Sequence, residues 1–205
     1  NNLHIIDWYS LSKGHKDWFY ADGIHLPPTG RKEYTNIVYN AILNVYKEEF
    51  KNKKAELIKA HQEELRNKIA FYGNDILFYN FESLQTNFAD AKFIVNKDSS
   101  YKFLKESIKK SISENTLSKK IVIAFDNSTI ISTKEYQELI ELCKDSKIFL
   151  VSSGKPLDSL GNYENVTIIN FYNKIQKNKD YLMADGIHLT EKGNKALNKL
   201  LNNTL

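Results

Sequence analysis

Two stretches of this chain carry the same six residues, Ala-Asp-Gly-Ile-His-Leu, at 21–26 and at 184–189. In each, an aspartate stands three residues before a histidine: Asp22 with His25, and Asp185 with His188. In a glycine-containing turn, that spacing lets the carboxylate accept a hydrogen bond from the proton-bearing nitrogen of the same imidazole. The tautomer is then fixed, and the imidazolium formed when histidine acts as a general base is stabilised. Taken alone, Asp-x-x-His is as readily a capping aspartate beside a surface histidine. Its recurrence in an identical block, each time between a strand pattern and a closing helix, favours chemistry. No further His or Cys stands at a helpful spacing for a metal, and no cofactor is expected.

The block belongs to a longer repeat. Residues 1–42 align without gaps on 164–205, with about a third of positions identical. Each copy opens on a strand pattern, Leu3 to Tyr9 and Val166 to Tyr172. Each also places a glycine four residues past the shared block, Gly30 and Gly193, ahead of an amphipathic helix. The second copy follows roughly 95 residues of α/β pattern, and the first has none before it. Residues 1–45 are therefore expected to be the closing tail of an earlier, truncated domain. Residues 46–68 are expected to be a charged helical linker, and 69–205 a complete domain. A lone strand and helix cannot bury their apolar faces, so the tail must dock somewhere.

Pro28 suits a first helical turn and predicts a long helix running from there through the linker. Alternating charge from Lys47 to Lys68 suits either a solvated spacer or a coiled-coil dimer helix. Beyond it, β-rich runs at 69–73, 92–95, 121–125, 148–151 and 166–171 alternate with helical patterns near 76–88, 99–114, 133–145 and 191–203. That order predicts an α/β three-layer sandwich around a five-stranded parallel sheet, flavodoxin-like, with an extra N-terminal strand and a long helix. Functional groups in such folds gather at the carboxyl ends of the strands. These are Asn74-Asp75, Asn96-Lys97, Asp126-Asn127-Ser128, Ser152-Ser153 and the Asp185/His188 loop.

Composition bounds the partners. The net charge is only +4, from 29 basic and 25 acidic residues, and the lysines are interleaved with acids. No concentrated basic face for nucleic acid results. The single cysteine, Cys143, lies in the apolar pattern of a helix and reads as a buried structural thiol.

The run Asp7-Trp8-Tyr9, the pair Gly14-His15, Asp22-Gly23-Ile24-His25-Leu26 and Pro28-Thr29-Gly30 together resemble the end of an SGNH/GDSL hydrolase domain. Within that family the chain is similar to the extracytoplasmic domain of peptidoglycan O-acetyltransferases, which is attached to a multi-spanning membrane acyltransferase. The resemblance is strong over 1–42 and clear over 164–205. Over 69–160 it rests on element order.

The resemblance implies a nucleophilic serine in a Gly-Asp-Ser turn after the first strand, with a Gly and an Asn after later strands as oxyanion donors. Carried over by position, Gly73-Asn74-Asp75 occupies the nucleophile turn, with Asp75 where serine is expected. The second-strand glycine falls at Asn96-Lys97, and the third-strand Gly-x-Asn falls at Asp126-Asn127-Ser128. Asn74, Asn127 and Ser128 are then the candidates for oxyanion or substrate contacts. A carboxylate at 75 cannot become an alkoxide nucleophile, and its charge repels a developing oxyanion. Loss of the glycine donor costs about 10²-fold more. The 69–205 domain is thus expected to be a pseudoenzyme that keeps Asp185 and His188 as relics or as a binding pair. A different register at Gly73 would bring Ser128, Ser152 or Ser153 into play instead.

The expected parent is a membrane-bound cell-wall O-acetyltransferase whose tail lies on the extracytoplasmic face of a bacterial membrane. Its partners would be a cell-wall glycan or acetylated sugar and an upstream membrane acyltransferase domain. Two other readings stay open: an SGNH esterase or deacetylase acting on carbohydrate esters, and a non-catalytic module. The module would bind glycan, or dimerise through the N-terminal tail or linker helix.

Overall fold

The computed structural model describes residues 5–126 and 128–205, which divide into two compact units, Asn1–Ala60 and His61–Leu205.

The first unit begins with a short helix α1 (Trp8–Ser12), capped by the Asp7 side chain on the Ser10 N–H at 3.1 Å. A 3₁₀ turn at Lys16–Trp18 follows, and then the long helix α2 (Pro28–Asn67), which continues into the second unit. The strand expected over Leu3–Tyr9 is not found. Leu3 and His4 lie outside the described residues, 5–7 join no strand, and Trp8 already begins a helix. An extended segment needs a neighbour for its N–H and C=O groups. The matching segment 166–170 has one, the fourth strand of the sheet. Along α2, Leu43, Phe50, Leu57 and Ile58 are exposed.

The second unit is an α/β sandwich. Strands β1 (Ala70–Gly73), β2 (Lys92–Val95), β3 (Lys120–Phe125), β4 (Lys147–Ser152) and β5 (Val166–Asn170) form one all-parallel sheet in the order 2-1-3-4-5. Period-two alternation sends Tyr72, Ile121 and Ile123 to one face, where Leu104 and Ile108 of α5 (Tyr101–Ser113) and Leu139 of α6 (Thr133–Leu142) cover them. Phe71, Val122 and Ala124 go to the other face. There they meet Leu77 of α3 (Asp75–Phe78), Leu84 of α4 (Phe81–Asn87) and Leu197 and Leu201 of α8 (Glu191–Asn202). Burial on both faces explains why the strand runs are almost wholly apolar.

Helix starts follow local chemistry. Ser100 caps α5, and Ser132 with Glu135 forms a reciprocal capping box on α6. Cys143 ends α6 and is buried, which pushes its thiol up to about 12. The helix expected over 76–88 is broken at Tyr79–Asn80 into α3 and α4, and α7 (Tyr172–Lys177) adds a helix that periodicity did not reveal. At the break, Asn80 and Asn198 exchange buried hydrogen bonds of 2.6 and 3.2 Å, and Asn198 also donates to Ser83 Oγ at 2.6 Å. This network ties α8 to the junction between α3 and α4. Register pairs Gly73 with Ala124, so Asp75 and Asp126 leave adjacent central strands at the same level.

Candidate functional site

Each Asp-Gly-Ile-His loop is built from its own residues. In the second, Asp185 Oδ1 accepts the N–H groups of Ile187 and His188 at 2.8 and 3.0 Å, while Oδ2 lies 2.6 Å from His188 Nδ1. In the first, Asp22 Oδ1 accepts from Ile24 and His25 at 2.9 and 3.0 Å, and Oδ2 lies 2.8 Å from His25 Nδ1. Glycine between acid and histidine takes φ of +72° at Gly23 and +70° at Gly186, a region other residues rarely enter. Three hydrogen bonds hold each carboxylate down to about 2. The His188 side chain contributes most at Asp185, and the Ile24 N–H most at Asp22.

The close helix approach after the loop is repeated as well. A Cβ on Gly193 would come within 2.3 Å of the Tyr181 carbonyl oxygen, and one on Gly30 within 1.9 Å of that of Trp18. Both glycines sit inside the first turn of their helix.

The strand ends bring further groups to His188. Asp75 opens α3 immediately after β1 and is 2% exposed. Its Oδ2 lies 3.7 Å from His188 Nε2, and its Oδ1 accepts the Asp98 N–H at 3.3 Å. His188 therefore has a carboxylate on each ring nitrogen. Its pKa is raised, chiefly by the hydrogen bond to Asp185, with smaller contributions from Asp126 and Asp75. Tyr79 packs edge-on against the imidazole, centroids 5.5 Å apart. The Lys97 ammonium, after β2, has its pKa raised, chiefly by the Tyr79 hydroxyl.

The remaining sequence candidates are committed to one another. The Asn74 side-chain amide donates to Asp126 Oδ1 at 2.8 Å and approaches Ser128 Oγ at 2.9 Å and Thr129 Oγ1 at 3.3 Å. Its carbonyl accepts the Asp126 N–H at 3.1 Å. Asn74 thus stitches β1 to β3 and has no amide hydrogen left for an oxyanion. Ser128 Oγ donates to Asp126 at 2.5 Å, Ser153 Oγ to the Phe125 carbonyl at 2.6 Å, and Ser152 Oγ to the Ile169 carbonyl at 3.5 Å. Among the described residues, no serine hydroxyl bonds to His188. Asn127 lies outside the described residues. Among those described, no group of three acidic, His or Cys side chains is placed to hold a metal, and no helix is long and apolar enough to cross a membrane.

Sequence reasoning did not single out Tyr79 or Asp98, which reach the site only because α3 ends after one turn and because Asp98 adopts a left-handed φ of 56°. Neither leaves a local sequence signature.

As it stands, the site sets one imidazole between two carboxylates, an arrangement that can hold a proton on the ring.

No family model matches the chain. It is 45% identical over 38 residues to O-acetyltransferase OatA of Staphylococcus aureus strain NCTC 8325, and the same holds for that of strain COL. The match takes in 18% of this chain and 6% of the relative's length. In structure, it is similar to the C-terminal catalytic domain of Streptococcus pneumoniae peptidoglycan O-acetyltransferase A. The TM-score is 0.52 and the identity 15%, covering 67% of this chain and 89% of that one. It is also similar to a GDSL-like lipase from Bacteroides thetaiotaomicron, with TM-score 0.55 and 13% identity over 67% of this chain and 87% of the other. By its parallel sheet, strand order and loop placement, the chain has the fold of the SGNH/GDSL hydrolases, the fold of that peptidoglycan O-acetyltransferase domain.

Proposed function

We propose that this chain comes from the extracytoplasmic region of a membrane-bound cell-wall O-acetyltransferase, and that its complete SGNH-like domain, residues 69–205, is non-catalytic and binds glycan. The observation that carries the reading is Asp75 in the turn after β1, with Oδ2 3.7 Å from His188 Nε2. A base facing a fixed carboxylate has no proton to take and no nucleophile to release. The short, 45% identical match to O-acetyltransferase OatA supports the choice of parent.

Residues 1–45 are, on this reading, the closing segment of a second SGNH domain. Supporting it, Tyr34 is 45% exposed, while Leu197 at the same repeat position is fully buried against the sheet. Ile42, farther along the same helix, is 51% exposed. Asp22 and His25 would there serve a nucleophile held on other residues.

Hydrolysis of p-nitrophenyl acetate by the purified chain tests the reading. Expected is a rate equal to buffer, unchanged by His188→Ala. A His188-dependent rate above background would replace the pseudoenzyme with an esterase acting on carbohydrate esters.

A further inference from the structure

A cavity of about 810 Å³ opens beside His188 rather than over it, along the outer edge of the sheet. Such a volume falls within the range of about 300–1,000 Å³ typical of ligand sites. Its wall is aromatic. Phe78 and Tyr79, at the end of α3, stand at 84° to each other with centroids 5.5 Å apart, and are 41% and 55% exposed. Phe93 of β2 lies deeper, its ring edge-to-face with Phe81 at 5.1 Å.

Large rings left in water at the mouth of a cavity forgo burial that would stabilise the fold by about 25 cal/mol per Å². The rim is polar, with Glu82 from α4 and Glu191, Asn194 and Lys195 from α8, Glu191 being ion-paired with Lys195. Carboxylates, an amide and an ammonium set around ring faces suit a ligand with apolar C–H faces and hydroxyl-bearing edges that both donate and accept. An acyl chain would bury these polar groups without replacing their hydrogen bonds to water. A peptide strand laid on β2 would have no need of the α8 groups.

We propose that this groove is an oligosaccharide-binding subsite, with Phe78 and Tyr79 as the platform and Glu82, Asn194 and the Glu191–Lys195 pair as hydrogen-bonding partners for sugar hydroxyls. The proposal rests on reading the domain as glycan-binding and supplies the surface that does it. Tyr79 has a second contact, since its ring edge also meets His188. A sugar seated on Tyr79 therefore ends beside the vestigial pair.

The test is calorimetric titration of the full chain with chitotriose and, separately, cellotriose. Expected is binding of at least one, weakened about tenfold or more by Phe78→Ala and by Tyr79→Ala. Such a loss is equivalent to about 1.4 kcal/mol. Tyr79→Phe should retain most of the affinity, because the platform is the ring. Circular dichroism melts of each variant separate lost binding from lost folding. Flat titrations up to about 10 mM of both sugars overturn the subsite, as does binding indifferent to both alanine variants or saturable binding of decanoate in their place. The ester assay reads the other claim independently. His188-dependent hydrolysis would end the pseudoenzyme reading and leave sugar binding standing, whereas flat titrations with no hydrolysis would end the groove and the glycan-binding part of the reading and leave the non-catalytic part standing.

Discussion

Asp75 and Asp185 flank one imidazole. Asp185 Oδ2 is 2.6 Å from His188 Nδ1, and Asp75 Oδ2 is 3.7 Å from His188 Nε2, on the ring's opposite side. With Nδ1 donating to Asp185, a neutral ring would turn an acceptor nitrogen toward an acceptor oxygen. A proton on Nε2 removes that conflict, so the geometry favours imidazolium.

Restoring a hydroxyl should restore a little chemistry. Asp75→Ser places a donor where Nε2 can accept its proton, and a general base contributes about 10²–10⁴-fold. On the proposed reading Asn96-Lys97 replaces a glycine oxyanion donor, so about 10²–10³ of that type of catalysis stays missing. Expected is p-nitrophenyl acetate hydrolysis about tenfold above the parent chain, abolished by adding His188→Ala. The steady-state rate of the double variant checks it.

The titration of His188 has a definite sign. Its folded pKa is raised, so its contribution to stability is complete below the unfolded value of about 6.5 and is lost as pH rises through the folded value. Asp185 is the opposite case. Held down to about 2, it contributes above about 4 and loses that contribution as pH falls toward 2. Proton NMR of the His188 ring should place its midpoint above that of a free histidine, and Asp185→Asn should move it down. A midpoint unmoved by Asp185→Asn would contradict the pairing.

Gly193→Ala should destabilise the second unit. The added methyl meets a backbone carbonyl at 2.3 Å, an atom that cannot swing aside as a side-chain tip does. A cost of about 1–3 kcal/mol is expected from the forced backbone shift, read as a lower midpoint in urea.

The two repeat copies should differ sharply at one aligned position. Leu197→Ala opens a cavity under the sheet and should cost about 2–5 kcal/mol. Tyr34→Ala loses an edge-on contact with Trp8, centroids 4.9 Å apart, and should cost about 1 kcal/mol or less. Thermal melts of both variants measure the contrast. Equal losses would mean that Tyr34 is as enclosed as Leu197.

The five strands of the sheet were legible because residues buried on both faces write continuous apolar runs, as Ile121 to Phe125 does. The Asp-x-x-His turn was legible because the three hydrogen bonds on each aspartate come from the next three residues. What failed was non-local. Ile5 and Ile6 carry the same pattern as Ile168 and Ile169, but a pattern supplies no neighbouring strand. The break between α3 and α4 is set by the Asn80–Asn198 pair, 118 residues apart, and nothing near Asn80 announces it. The engagement of Asn74 with Asp126 likewise needs two strands side by side, and it turns an apparent oxyanion donor into a structural brace.

A turn whose acid and histidine pair within three residues is also portable. Because Asp22 and Asp185 orient their histidines from within the same turn, that pairing needs no side chain from another strand. A well-formed histidine–aspartate dyad therefore does not by itself identify a working site. On the proposed reading, turnover hinges on position 75, 113 residues upstream of His188.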